Sequence, residues 1–331
     1  MPSISIMYPT MPSRIESVVP YARLAERSSG RRLWLGQSLC VETHAVFAAL
    51  TGRGLDIGFG SDVALMPMRH PLTAAVDARS VAALSGRTYI AGIGPGDTEI
   101  QRRMLGSVYE RPVSAARHYL RTMRTLLDGG TVEESEGPWA TEGLRLPPMK
   151  HAPVEIGLGV LREPMARLAG EAADWAVTWL TPLDYLSGRL LPAMASAASA
   201  AGRPAPRVAA LVHCAVDRPH RDLARVCLSA VQGHLSAPHY TDMLNRAGIP
   251  VDRRDPRAGA ALLVRHGVMA TGTAQDVAAA LGAYHAAGVD EVVISVGGVH
   301  VAEGARAALR DLADILQAAQ HSTPPGPAPA A

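Results

Sequence analysis

The chain has 331 residues, 48% of them hydrophobic, enough for a large core and for one α/β barrel of ordinary size with insertions. Its 32 basic and 30 acidic residues leave a net charge of +2, too balanced to suggest nucleic acid or an acidic membrane face, and 4% aromatics argue against a base-stacking surface. Cys40, Cys214 and Cys227 show no CxxC spacing, no apolar run approaches the roughly 18 residues of a spanning helix, and no cleavable signal opens the chain, so the cytoplasm is the expected compartment. In chain order, residues 3–7 read as a short buried strand, broken by Pro9 and Pro12, with a helix over 14–25. A strand at 33–35, a helix over 42–50 ending at Gly52, and a strand over about 57–65 follow. His70-Pro71 opens a helix to residue 84, Ser85-Gly86 stops it, and a fourth strand covers 88–93. Helix is expected over 102–127, then a strand-and-turn excursion over 131–147. Strands at 154–157, 175–177, 208–216 and 292–294 complete the pattern, with helices over 165–170 and 273–287.

Eight short apolar strands alternating with helices predict a single (β/α)8 barrel over 1–320. A doubly wound sheet is the structural alternative and differs by a reversal of strand order. The Pro-containing stretch 202–207 reads as a loop before the seventh strand. The polar, irregular stretch 234–266 reads as an insertion on the active-site wall. Residues 321–331, almost wholly Pro, Ala and Gly, read as a flexible tail.

Two glycine-rich turns at strand ends draw the chemistry together. Gly94, Pro95, Gly96 and Asp97 follow the fourth strand, and Gly157, Gly159, Val160, Leu161 and Arg162 follow the fifth. Glycine lets the backbone approach a ligand closely, a helix start offers free N–H groups to a phosphate, and Arg162 adds a charge-assisted contact. Each turn alone reads as a bare βα connection; two at the same kind of position in one barrel point to a phosphorylated cofactor. No His/Cys/carboxylate spacing suggests a metal.

The longest informative segment runs from Gly58 through Ser61-Asp62-Val63, Pro67-Met68-Arg69-His70-Pro71 and Ser85-Gly86-Arg87 to Gly92-Ile93-Gly94-Pro95-Gly96. It resembles strands three and four of the bacterial-luciferase-like flavin and F420 enzymes. Residues 153–175 and 272–292 are similar to the same family's fifth-strand and closing segments, in the family's order. The resemblance implies a luciferase-like barrel and a cofactor, F420 with FMN as the alternative. It also implies a non-prolyl cis peptide beneath the ring system among Ser61, Asp62 and Val63, assigned to Asp62–Val63; an ordinary strand end is the plain reading.

At strand two the chain departs from the family. Gln37 and Ser38 stand where F420 members often carry an acid and a histidine. These are the candidate catalytic residues, able to orient a substrate or a carbonyl but poor proton donors. Glu42, His44 and His70 are alternative acids, though a helix-start charge and a cap describe Glu42 and His70 better. His213 reads equally as a core histidine or a site residue, and His234, His239 and Tyr240 as an exposed loop or a substrate wall. The expected activity is an F420-dependent reduction of an electron-poor C=C or C=N bond in a small molecule or modified peptide. An FMN-dependent monooxygenase is the alternative, and a non-catalytic flavin-binding barrel protein the reading from a different class. A homodimer is left open as the assembly.

Overall fold

The computed structural model describes residues 3–134 and 137–321. Eight strands alternate with helices and close on themselves: β1 (Ser3–Met7), β2 (Arg32–Leu35), β3 (Gly58–Ser61), β4 (Tyr89–Gly94), β5 (Val154–Gly159), β6 (Trp175–Trp179), β7 (Arg207–Val216) and β8 (Glu291–Ser295). Each pairs in parallel with the next, and β8 pairs with β1 through Ser3 opposite Glu291. The order never reverses, so the architecture is the (β/α)8 barrel and the doubly wound alternative falls. Two short strands add to it: Ala64–Leu65 pairs with the end of β4, and Met269–Gly272 with the end of β7.

Two buried clusters follow from the period of two along each strand. Ile6, Leu33, Leu35, Phe59, Tyr89, Ile156 and Ala176 belong to the large cluster shared with the helices. Met7, Trp34, Ile90, Trp175, Val177, Ala209, Leu211 and Val293 form the second, inside the barrel.

Helix boundaries follow local chemistry. The stretch expected as one helix over 102–127 is two, Thr98–Leu105 and Pro112–Leu127: Gly106 closes the first at φ 71° and Pro112 starts the second. The stretch expected to be irregular over 234–266 lies largely in three helices, Leu223–Ser236, Pro238–Arg246 and Pro256–Arg265. Pro238 and Pro256 stand at first helical turns, where a missing N–H costs nothing, and Pro250 lies in the connection between the last two helices. The excursion at 131–147 is an antiparallel hairpin of Val132–Glu134 with Thr141–Leu144. His321, counted with the expected tail, ends the closing helix Ala305–His321, and the rest of the tail lies outside the described residues. Among the described residues no helix is long and apolar enough to cross a membrane.

Candidate active site at the barrel mouth

Three neighbouring strands carry glycine at alternate positions: Gly58 and Gly60 on β3, Gly92 and Gly94 on β4, Gly157 and Gly159 on β5. These are less a phosphate cradle than a wall without side chains. A Cβ on Gly60 would lie 2.6 Å from the Trp34 ring, one on Gly92 2.0 Å from the Ser61 carbonyl oxygen, and one on Gly94 2.6 Å from the Val63 side chain. The wall therefore makes room for the Trp34 ring and for the chain at 61–63 to bend inward.

At that bend the Asp62–Val63 peptide is cis. Ser61 Oγ donates to Gly92 O at 2.9 Å, and Asp62 N donates to Leu35 O at 2.9 Å, tying the bend to β4 and β2. Above it lies a cavity of about 200 Å³ lined by Gln37, Asp62, Val63, Leu65, Trp179, His234 and Tyr240. A volume below the roughly 300 Å³ of complete ligand sites suits the reacting part of a ligand whose remainder lies outside. A larger hollow of about 490 Å³ sits at the surface hairpin, between Glu133, Glu134, Ala140, Thr141 and Glu142, away from the strand ends where barrel chemistry gathers.

The mouth collects buried polar atoms without partners. Asp62 Oδ2, Trp179 Nε1, both ring nitrogens of His213 and His234 Nδ1 make no hydrogen bond. The Trp179 ring stacks on His234 at 5.2 Å and meets the edge of His213 at 5.1 Å, and His234 meets Tyr240 at 4.7 Å. Burial pushes the Asp62 carboxyl up to about 8, and holds His213 down at about 3 and His234 at about 4. At neutral pH all three are uncharged. Each buried unpaired group costs about 1–3 kcal/mol, so a cluster of them marks where water or a ligand completes the bonding.

The expected site residues fall into two groups. Gln37 lines the cavity; its Oε1 accepts from Leu65 N at 3.2 Å and its Nε2 donates to Ser38 O at 3.1 Å. Ser38 lies beside it, its Oγ taken by Cys40 N at 3.1 Å. The turns at 94–97 and 157–162 share one end of the barrel, since Ile93 pairs with Leu158. In the first, Gln101 Nε2 donates to the Pro95 and Gly96 carbonyls, and the Asp97 carboxylate caps Thr98–Leu105 by accepting from Ile100 N at 2.7 Å. That carboxylate occupies the N–H a phosphate would use. In the second, Gly157 packs on Gly92 and Val177, Gly159 faces Val63, and Val160 is buried with its N–H on Val177 O. Leu161 is half-buried, and Arg162 opens Glu163–Ala172, a helix with no side-chain cap. The Arg162 guanidinium pairs with Asp242 at 2.9 Å.

The alternative acids are engaged elsewhere. Glu42 caps Thr43–Gly52 through the N–H groups of His44 and Ala45. Burial pushes its carboxyl up, but His44, Ala45 and Arg69 outweigh this and bring it to about 2. His70 Nδ1 caps Pro71–Ser85 by accepting from Leu72 N. Trp179 and Leu65 were not singled out from sequence; Trp175, Val177 and Trp179 share one strand face, and extending that alternation by one step finds the second tryptophan.

A family model described as luciferase-like monooxygenase matches residues 3–291. Among solved structures the chain is similar to the coenzyme F420-dependent tetrahydromethanopterin reductase of Methanopyrus kandleri, at 19% identity and a TM-score of 0.74, covering 97% of this chain and 99% of that one. It is also similar to an F420-dependent secondary alcohol dehydrogenase with an F420-acetone adduct, at 15% identity and a TM-score of 0.67, covering 93% and 99%. A third is the FMN-bound oxygenating constituent of 3,6-diketocamphane monooxygenase from Pseudomonas putida, at 18% identity and a TM-score of 0.69, covering 97% and 99%. At these identities the likeness is one of fold.

Proposed function

The chain belongs to the luciferase-like monooxygenase family, and from that premise we propose that it is an F420-dependent oxidoreductase reducing an electron-poor C=C or C=N bond. The observation that carries the reading is the mouth cavity, where uncharged, unpartnered polar groups surround the 61–63 bend. The cofactor supplies a hydride at a carbon of its ring. This chain's residues bind and position. The glycine wall keeps the strand ends clear of side chains where a flat ring would enter, and Trp179, His234 and Tyr240 close the far side against water. The uncapped helix start at 163 with Arg162 is the better phosphate holder, because Asp97 already fills the other turn. The substrate is a neutral small molecule or a modified peptide such as one bearing a dehydroamino acid, and the protein acts in the cytoplasm.

Fold likeness extends equally to an FMN enzyme, so the test sets both carriers side by side. Calorimetry is expected to show F420 binding at least tenfold more tightly than FMN, a difference of about 1.4 kcal/mol. Equal or reversed affinity transfers the reading to a flavin monooxygenase, and binding of neither leaves a barrel without redox function.

A further inference from the structure

Hydride addition to an unsaturated carbon leaves an electron pair that must take up one proton per turnover. Three ionisable side chains line the cavity: Asp62, His234 and Tyr240. Burial holds His234 as a neutral imidazole and pushes the Tyr240 phenol well above its usual range, so neither gives up a proton readily. Asp62 differs. It is 9% exposed, its Oδ2 has no protein partner, and it projects from the bend that floors the cavity. We propose that Asp62 is the proton donor of this reduction, and that its acceptor is the α-carbon of an uncharged substrate with a C=C bond conjugated to a carbonyl.

This rests on the carrier reading above and assigns the proton that reading leaves open. One C–H bond forms at the β-carbon with the incoming hydride. The π pair moves to the α-carbon, and a second C–H bond forms there as the Asp62 O–H bond breaks. The substrate gains two electrons from the reduced deazaflavin, which is oxidised. Asp62, left as a carboxylate, takes a proton from solvent before the next turnover.

The surroundings support both halves. Gln37, Trp179, His234 and Tyr240 face Asp62 across the cavity, with His239 and Asp97 beyond Tyr240. Among the described residues no Lys or Arg lines the cavity, so no cation there favours the Asp62 carboxylate or recruits an anionic substrate. The unpartnered N–H of Trp179 and the neutral imidazole of His234, both on the cavity wall, suit a carbonyl oxygen. A carboxyl with its midpoint at about 8 is protonated at neutral pH and strong enough to protonate an enolate.

The test pairs infrared spectroscopy of the protein alone with turnover. Carbon-13-labelled aspartate in the wild type is expected to show a protonated carboxyl band that disappears with a midpoint near pH 8, and Asp62→Asn to lack it. With reduced F420, the probes are 2-cyclohexen-1-one, cinnamaldehyde and methyl 2-acetamidoacrylate. Asp62→Asn is expected to lower kcat at least a hundredfold at pH 7, while the Kd for F420 moves less than threefold. Wild-type kcat is expected to fall about tenfold per pH unit above 8 and the variant's to stay flat. Asp62→Ser serves the same purpose should the amide variant not fold. A missing band, or a variant with F420 bound and kcat within threefold of wild type, overturns the donor and leaves the carrier standing. A wild type that binds F420 but turns over none of the probes overturns the acceptor and the proposal with it. A wild type that binds no F420 overturns the carrier, and the donor falls too even if the band is present.

Discussion

The two ends of the barrel are lined from the same eight strands and treat their polar groups in opposite ways. At the end where the strands begin, Glu291 accepts from Ser5 Oγ at 2.5 Å and Trp34 Nε1 at 2.8 Å and pairs with Arg32. Beside it Glu155 accepts from Trp175 Nε1 at 2.7 Å and pairs with Arg207, whose guanidinium lies 4.3 Å over the Trp175 ring. Arg32 Nε is the exception without a partner there. At the end where the strands finish, Asp62, Trp179, His213 and His234 all have buried polar atoms unpaired. Satisfied groups plug the barrel; unsatisfied ones keep a place for something that is not protein. Glu291 and Asp62 show the contrast between two carboxyl groups, since the first accepts from Ser5 and Trp34 and the Oδ2 of the second accepts from no protein donor.

The plug is the first place to break that contrast. Glu291→Ala removes the acceptor that Ser5, Trp34 and Arg32 share and leaves a nearly buried guanidinium uncompensated. Stability is expected to fall by about 3–5 kcal/mol in urea denaturation. A loss under 1 kcal/mol would mean that the closed end is not held by this network.

The same experiment at the open end has the opposite sign. The unfolded Asp62 carboxyl ionises near 3.8 and the folded one near 8, so between these values the folded state binds the extra proton. Stability from this group is therefore full below about pH 4 and is lost as pH rises to about 8. Asp62→Asn removes that slope. It is expected to be more stable than wild type by a few kcal/mol at pH 8, the gap shrinking on acidification and vanishing near pH 4. His213 and His234, depressed below their unfolded value, act in the other direction, adding stability as pH rises from about 3 to 6.5 in both proteins. A variant no more stable than wild type at pH 8 would mean that Asp62 is satisfied.

How much of this was legible in the sequence depends on range. Strand alternation is local, and the eight strands stood in the text. The cis Asp62–Val63 bond was placed correctly by the family resemblance, since the residues alone read as an ordinary strand end. The meaning of the glycines was harder. Gly92-Ile93-Gly94 and Gly157-Leu158-Gly159 look like phosphate turns one strand at a time. They become a wall only when β4 and β5 lie side by side with the chain at 61–63 bent against them, a non-local fact. The stretch 234–266 reads as irregular, and a first-turn proline such as Pro238 or Pro256 looks like a loop proline without the helix that follows. Asp62 was expected to touch cofactor, but its lack of a partner is a property of everything around it.

The smallest effect sharpens the comparison at the rim. Arg162 and Asp242 form a pair whose side chains are 45% and 37% exposed, and such pairs contribute about 0–1 kcal/mol. Arg162→Ala is therefore expected to leave the thermal midpoint almost unmoved. If the helix start at 163 holds the cofactor phosphate, the same change costs a charge-assisted bond and lowers F420 affinity about tenfold, or about 1.4 kcal/mol. Raising salt should narrow that gap, because the lost contact is ionic and half exposed. Arg207→Ala is the matching change at the closed end. It loses a partly exposed pair with Glu155 and the stacking on Trp175, and is expected to lower stability by about 1 kcal/mol while F420 affinity stays put. Calorimetry and thermal unfolding on both variants separate the two roles: binding should move with Arg162 alone and stability with Arg207 alone. Unchanged F420 affinity in Arg162→Ala would take the phosphate away from residues 157–162 and leave the cofactor tail to another part of the rim.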